Sequence, residues 1–251
     1  MPQFRVAAHG DARIRYLDSG GDDRGAPIVF VPGFTCLAAD YIEVLPLFGR
    51  RTVVVELRGH GHSVAPTGPY DAAARAGDIE AAINEVTEGP VHLMTFSRGT
   101  SYALTWALAH PGRVRSISIG DYLPEEIALP EEIAMGVLDG RWRGTPVHER
   151  IDRSAAIATF AAAVSRSLWE PLAQWGPPLL VVRSPNSPII DASAWARYGQ
   201  LFPAARLHEF ADSPHDIFRP DRGRYPLLVR ELAEWADAEG TDSGSRVGQG
   251  R

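Results

Sequence analysis

The sequence predicts an α/β fold with a largely parallel sheet, and three observations predict it. Short apolar runs alternate with amphipathic stretches along most of the chain, the order that places helices between the strands of one sheet. Several runs are near-continuous and β-branched, as in Val53-Val54-Val55 and Val181-Val182, which is how strands covered on both faces read. The length, 251 residues, is enough for one domain with a full core that needs no disulfide or metal to hold it.

The chain opens on residues 4–8 and 13–18, which flank a turn containing His9, Gly10 and Asp11 and read as an antiparallel hairpin. Residues 28–31, 53–56, 91–96, 117–119, 179–183 and 206–210 follow as further strands, giving eight in all. Helical patterns occupy 72–86, 100–110, 192–201 and 226–238, with small or apolar residues returning at three- and four-residue spacing. In the last of these Pro226 suits a first helical position, and Tyr225, Leu228, Leu232 and Trp235 form one apolar stripe that should dock on the sheet.

Residues 122–176 break the rhythm, because a crossover helix needs only a dozen or so residues and this interval holds more than fifty. Met135, Val137, Leu138, Trp142, Ile151, Ile157, Phe160, Val164, Leu168 and Trp169 recur there among alanines and charges, which predicts two or three short helices. The expected organisation is a core of 1–121 and 177–238, a helical cap inserted at 122–176, and a disordered Gly/Ser/Asp/Arg-rich tail at 239–251.

Composition narrows the function classes. The net charge is −6 and the chain has no lysine. Its arginines form no basic run, which argues against nucleic acid as a partner. No stretch approaches the ~20 apolar residues of a membrane span, and charges fall where a secretory leader would be apolar, so the expected location is the cytoplasm. Cys36 is the only cysteine, so no internal disulfide or zinc-type Cys/His site is available, and a small apolar residue in a loop is the commoner role for it. His60 and His62, two residues apart in a glycine-bearing turn with no carboxylate cluster, are read as structural rather than metal-binding, and His92 likewise.

The segment Val91-His92-Leu93-Met94-Thr95-Phe96-Ser97-Arg98-Gly99-Thr100 is an apolar strand ending in a serine, followed at once by glycine and a helix. A serine on such a turn stands at the carboxyl end of the sheet over a helix amino terminus, where developing negative charge is favoured. Taken alone, the pattern equally describes a helix-capping serine.

With Phe96-Ser97-Arg98-Gly99 in the place of the nucleophile elbow, the chain resembles the α/β-hydrolase family over residues 1 to about 238. Three further segments agree with the resemblance: Val31-Pro32-Gly33-Phe34 after the third strand, Glu56-Leu57-Arg58-Gly59-His60-Gly61-His62-Ser63 beside the family's DxRGxGxS turn, and Asp212-Ser213-Pro214-His215-Asp216 after the last strand. The resemblance implies Ser97 as nucleophile, His215 as its base, and the backbone N–H groups of Phe34 and Arg98 as the oxyanion hole. It calls for no cofactor and no metal.

Two departures from the family pattern matter. The segment after the seventh strand, Ser184-Pro185-Asn186-Ser187-Pro188, lacks the usual triad carboxylate. Some relatives carry the acid after the sixth strand, where this chain has Asp121; Asp191, otherwise a helix cap, is held in reserve. Thr95 replaces the first glycine of GxSxG and should crowd the turn.

Under an apolar cap, Phe34, Cys36, Tyr41, Phe96, Tyr122 and Trp142 are candidate pocket walls, which suit a small organic acyl substrate. Arg98 could meet a substrate carboxylate, although an arginine at a helix start is more often solvated. The function expected is a serine hydrolase cleaving a small ester, lactone, thioester or amide through an acyl-enzyme. An acyltransferase or cyclising thioesterase using the same nucleophile is the first alternative, and a degenerate ligand-binding relative, encouraged by the two departures, is the second.

Overall fold

A computed structural model describes residues 1–21 and 25–246. Its sheet has eight strands: β1 (Gln3–His9), β2 (Ala12–Asp18), β3 (Ile28–Val31), β4 (Thr52–Val55), β5 (Val91–Phe96), β6 (Val114–Gly120), β7 (Leu179–Arg183) and β8 (Arg206–Glu209). They lie in the order β1-β2-β4-β3-β5-β6-β7-β8. The opening hairpin is antiparallel and β2 meets β4 antiparallel, while every later pairing is parallel.

Alternation along the strands divides the core in two, because successive side chains leave opposite faces of the sheet. Val29, Val31, Leu93, Ile117, Ile119 and Val181 face one way. They meet α1 (Ala72–Asn84), α2 (Gly99–Ala109) and α6 (Ala192–Leu201). Ile28, Phe30, Met94, Phe96, Leu180 and Val182 face the other way. There they pack on a 3-10 segment, Ala38–Phe48, and on α7 (Arg224–Arg246). Strands buried on both faces cannot show a period-2 polarity, which explains their unbroken apolar spelling.

The 3-10 segment carries no legible helical pattern because Pro46 lies inside it. The last helix continues eight residues past Ala238 to Arg246, so the tail expected from residue 239 is helical over that stretch; residues 247–251 lie outside the described residues. Propagating a docked helix adds one hydrogen bond for each residue fixed, which lets it outrun the apolar stripe that anchors it.

Between β6 and β7 lie α3 (Glu131–Asp139), α4 (Arg153–Ala162) and α5 (Trp169–Trp175). Leu138, Val147, Ile151 and Ala156 form a separate small core whose one contribution from the sheet side is Phe34. Leu168, Trp169 and Leu172 instead join the main core beside α2 and α6. The part of the insertion that stands apart over the sheet is therefore shorter than 122–176 and ends before α5.

Candidate active site

The carboxyl ends of three neighbouring strands supply the site. β5 ends at Phe96 opposite Gly120 at the end of β6. The next residue on each strand has a left-handed backbone, φ 51° at Ser97 and φ 43° at Asp121. That conformation is uncommon outside glycine and is held here by the surrounding ladder. The Ser97 N–H donates to the Gly120 carbonyl at 2.8 Å, and the Asp121 N–H to the Val182 carbonyl at 2.7 Å. Each strand end thus ties the next one along.

His215 comes from the loop after β8 and reaches both residues. Its Nε2 lies 2.9 Å from Ser97 Oγ and its Nδ1 2.7 Å from Asp121 Oδ2. The other carboxylate oxygen of Asp121 accepts the Ser184 N–H at 3.0 Å, and the side chain is fully buried. The segment that lacked the expected acid therefore supports Asp121 through a backbone donor. The imidazole stacks on Phe96, with centroids 5.1 Å apart, and meets the edge of Trp142 at 6.3 Å. Asp191 caps α6, accepting the Ala194 N–H at 2.8 Å from an exposed position, and makes no hydrogen bond to His215.

Thr95 does not leave the elbow frustrated. Its side chain is fully buried, and its hydroxyl pairs with Thr100 Oγ1 at 2.8 Å and donates to the Ser118 carbonyl at 3.1 Å. The backbone N–H groups of Phe34 and Arg98 have no protein acceptor among the described residues. Gly33 allows the two loops to meet, since a Cβ there would lie 3.0 Å from Ser97 Cβ.

His60 holds the loop that carries Phe34. Its Nε2 donates to the Phe34 carbonyl at 2.6 Å, and burial together with the Arg75 charge pushes its pKa down to about 4. His62 sits outside against Arg15, and no group able to hold a metal ion occurs among the described residues. His92 is buried between Ser116 Oγ at 2.8 Å and Asp237 Oδ1 at 3.2 Å, where it ties α7 to the sheet.

The buried imidazole of His60 gives a pH prediction whose sign is fixed. Above pH 6.5 the ring is neutral in both the folded and the unfolded chain, and it contributes no pH dependence. Below that, the unfolded chain takes up a proton that the folded one refuses down to about pH 4, so stability falls as pH falls through this window. The contribution lost by pH 5 is about 2 kcal/mol. Urea unfolding of the wild type and of His60→Gln, at pH 7 and pH 5, should show the steeper loss in the wild type; parallel losses would remove the assignment.

Above Ser97 lies a cavity of about 430 Å³ lined by Phe34, Phe96, Tyr122 and Trp142, as the sequence suggested, and by Ser97 and His215. Cys36 and Tyr41 do not line it. Both are buried in the core on the α7 side, because the Cys36 N–H turns back to the Gly33 carbonyl and Tyr41 packs on Phe30 and Phe218. Ile127, Leu129, Val137 and Phe160 are further apolar parts of the wall. The sequence shows these to be apolar but gives no sign of which face of the short inserted helices turns inward.

Two connections had no sequence signal. Arg143, at φ 48° in the tight turn of a cap hairpin, makes two 2.8 Å hydrogen bonds to both carboxylate oxygens of Asp216, the neighbour of His215. Arg150, also from the cap, bonds to the Thr35 carbonyl and pairs with Asp40. The cap is thus tied both to the loop of the histidine and to the loop of Phe34.

A family model described as alpha/beta hydrolase fold matches residues 26–145. A 2-(acetamidomethylene)succinate hydrolase from Mesorhizobium japonicum is 26% identical over 215 residues, covering 71% of this chain and 77% of its own. A non-heme chloroperoxidase from Streptomyces lividans is 32% identical over 124 residues, 47% of this chain and 44% of its own. Among solved structures, that of an E-2-(acetamidomethylene)succinate hydrolase superposes with a TM-score of 0.76 at 20% identity, over 93% of this chain and 100% of the other, a likeness of fold.

Proposed function

We propose, because the chain belongs to the α/β-hydrolase fold family and is an enzyme of that class, that it is a serine hydrolase cleaving a small carboxylic ester, lactone, thioester or amide. The observation that carries this reading is the continuous relay of Ser97 Oγ, His215 and Asp121 at 2.9 and 2.7 Å under an apolar cavity.

In this mechanism Ser97 Oγ attacks the carbonyl carbon while its proton passes to His215 Nε2. The Phe34 and Arg98 N–H groups receive the charge on the carbonyl oxygen, donors already in place that need no reorganisation. Collapse breaks the bond to the leaving group, which takes the proton from His215. A water then repeats the sequence on the acyl-enzyme, releasing the carboxylic acid and restoring Ser97. Asp121 holds the imidazole with its proton on Nδ1 and stabilises the cation that forms. The substrate is a small molecule, and the chemistry asks for no cofactor. No helix among the described residues is long and apolar enough to cross a membrane.

The two departures that favoured a non-catalytic binding protein do so no longer, since Asp121 reaches His215 and Thr95 is hydrogen-bonded. The test is fluorophosphonate labelling read by intact mass, beside hydrolysis of a short-chain phenyl ester. One adduct is expected on the wild type and none on Ser97→Ala. A folded wild type that takes no label would move the assignment to a binding protein.

A further inference from the structure

The cavity wall is chemically lopsided. Its lining includes two arginines, Arg98 and Arg141, and no aspartate or glutamate, in a chain whose net charge is −6. Arg98 is only 5% exposed and forms no ion pair among the described residues. Its Nε donates to the Tyr102 hydroxyl at 3.0 Å, its guanidinium carbon lies 5.4 Å from the Phe160 ring centre, and its Nη2 has no hydrogen-bond partner. Glu126, an acid whose field it feels, is already taken by Arg166 at 3.5 Å and by the Val164 N–H at 3.3 Å. Trp142 adds a second unused donor, since its buried Nε1 is also unpartnered.

Both groups donate and cannot accept. A buried guanidinium without a counter-charge is unfavourable by itself, and an acceptor-only anion is what would satisfy it. The neighbouring buried cations sharpen the imbalance. Arg75 is fully buried and bonded to neutral partners, the Arg58 carbonyl and Thr159 Oγ1, while Arg58 consumes Asp78. Neither Arg75 nor Arg98, both buried, is thus bonded to a carboxylate among the described residues.

We propose that the substrate carries a carboxylate besides its scissile acyl group, as in the monoester of a small dicarboxylic acid, and that the Arg98 side chain receives it. The proposal rests on Ser97 being the nucleophile of the hydrolase above. Arg98 then has two separate jobs: its backbone N–H faces the oxyanion, and its side chain selects the substrate. Being next to the nucleophile, the guanidinium fixes the scissile carbonyl relative to Ser97 by a charge-assisted contact on the same turn.

The experiment compares the monophenyl ester of glutarate with the isosteric phenyl ester that ends in an isopropyl group in place of the carboxylate. The wild type should favour the carboxylate by about 10- to 100-fold in kcat/KM. Arg98→Met should erase that preference and Arg98→Lys should keep part of it. Equal or reversed preference in the wild type, which requires no variant to fold, overturns the proposal. Calorimetric binding of the same monoester to Ser97→Ala and to Ser97→Ala/Arg98→Met gives an answer independent of turnover. A Kd raised about tenfold or more by the second change supports the role, and an unchanged Kd in a folded protein overturns it. Should the wild type cleave neither ester, the hydrolase reading fails while the calorimetry still decides what Arg98 binds.

Discussion

Asp121→Asn should lower kcat/KM toward any acyl substrate by about 10⁴-fold, the size of the same change in an established Ser–His–Asp triad, with little change in the fold. The backbone at Asp121 is left-handed, φ 43°, a region asparagine enters more readily than most residues. Asn Oδ1 can still accept the Ser184 N–H, now 3.0 Å from Asp121 Oδ1. The damage falls on the other side of the group. The atom 2.7 Å from His215 Nδ1 becomes an NH₂ donor, which pairs with an unprotonated Nδ1 and so places the ring proton on Nε2, where it faces Ser97 Oγ and cannot accept. Steady-state kinetics with a melting curve will check this; turnover within tenfold of wild type in a folded variant would take the role away from Asp121.

Gly99→Ala should do the opposite, breaking the scaffold and the chemistry together. A Cβ at Gly99 would lie 2.3 Å from the Pro32 carbonyl oxygen and 2.5 Å from that of Val31. Both are backbone atoms, and no side chain can rotate away. Either α2 must lift off β3, or the Pro32–Phe34 loop must move away from Ser97. Overpacking of this kind costs about 3 kcal/mol, or roughly 10 °C in Tm at this chain length. A shift of an ångström in the Phe34 donor should add a loss of about 10² in kcat/KM. Gly112→Ala is the control, because a Cβ there meets nothing within 4 Å and the residue has no positive φ. If both variants melt and turn over alike, the close approach at Gly99 is not what fixes the elbow.

These residues also mark how far the sequence could be read. The eight strands and their mostly parallel pairing were legible because strands buried on both faces are spelled in unbroken β-branched runs. That Ser97 and His215 would meet was expected from their family-like spellings, one just after β5 and the other in the loop after β8, and the two lie 2.9 Å apart. Asp121 was chosen on the resemblance to relatives that carry the acid after the sixth strand, and what the sequence hid was that Ser184 itself supports Asp121. The Arg143–Asp216 and Arg150–Asp40 ties join residues separated by 73 and 110 positions, and nothing local announces such pairs. Arg98 was misjudged for a related reason: a helix start is solvated by default, and only the insertion folding over α2 buries it.

Ser97 and Asp121 reach the site by one device, a single left-handed residue set immediately after the last residue of a strand, on two strands whose ends are paired Phe96 to Gly120. Function is thereby written in strand phase as much as in residue identity. Exchanging one buried valine or isoleucine for another within β5 or β6 leaves the phase alone. Deleting or duplicating one residue in either strand would turn every side chain beyond it to the opposite face, sending the hydroxyl or the carboxylate toward a helix layer. Variants with conservative exchanges in these two strands should therefore keep the site, whereas a one-residue change of length should be tolerated only in the segments between them.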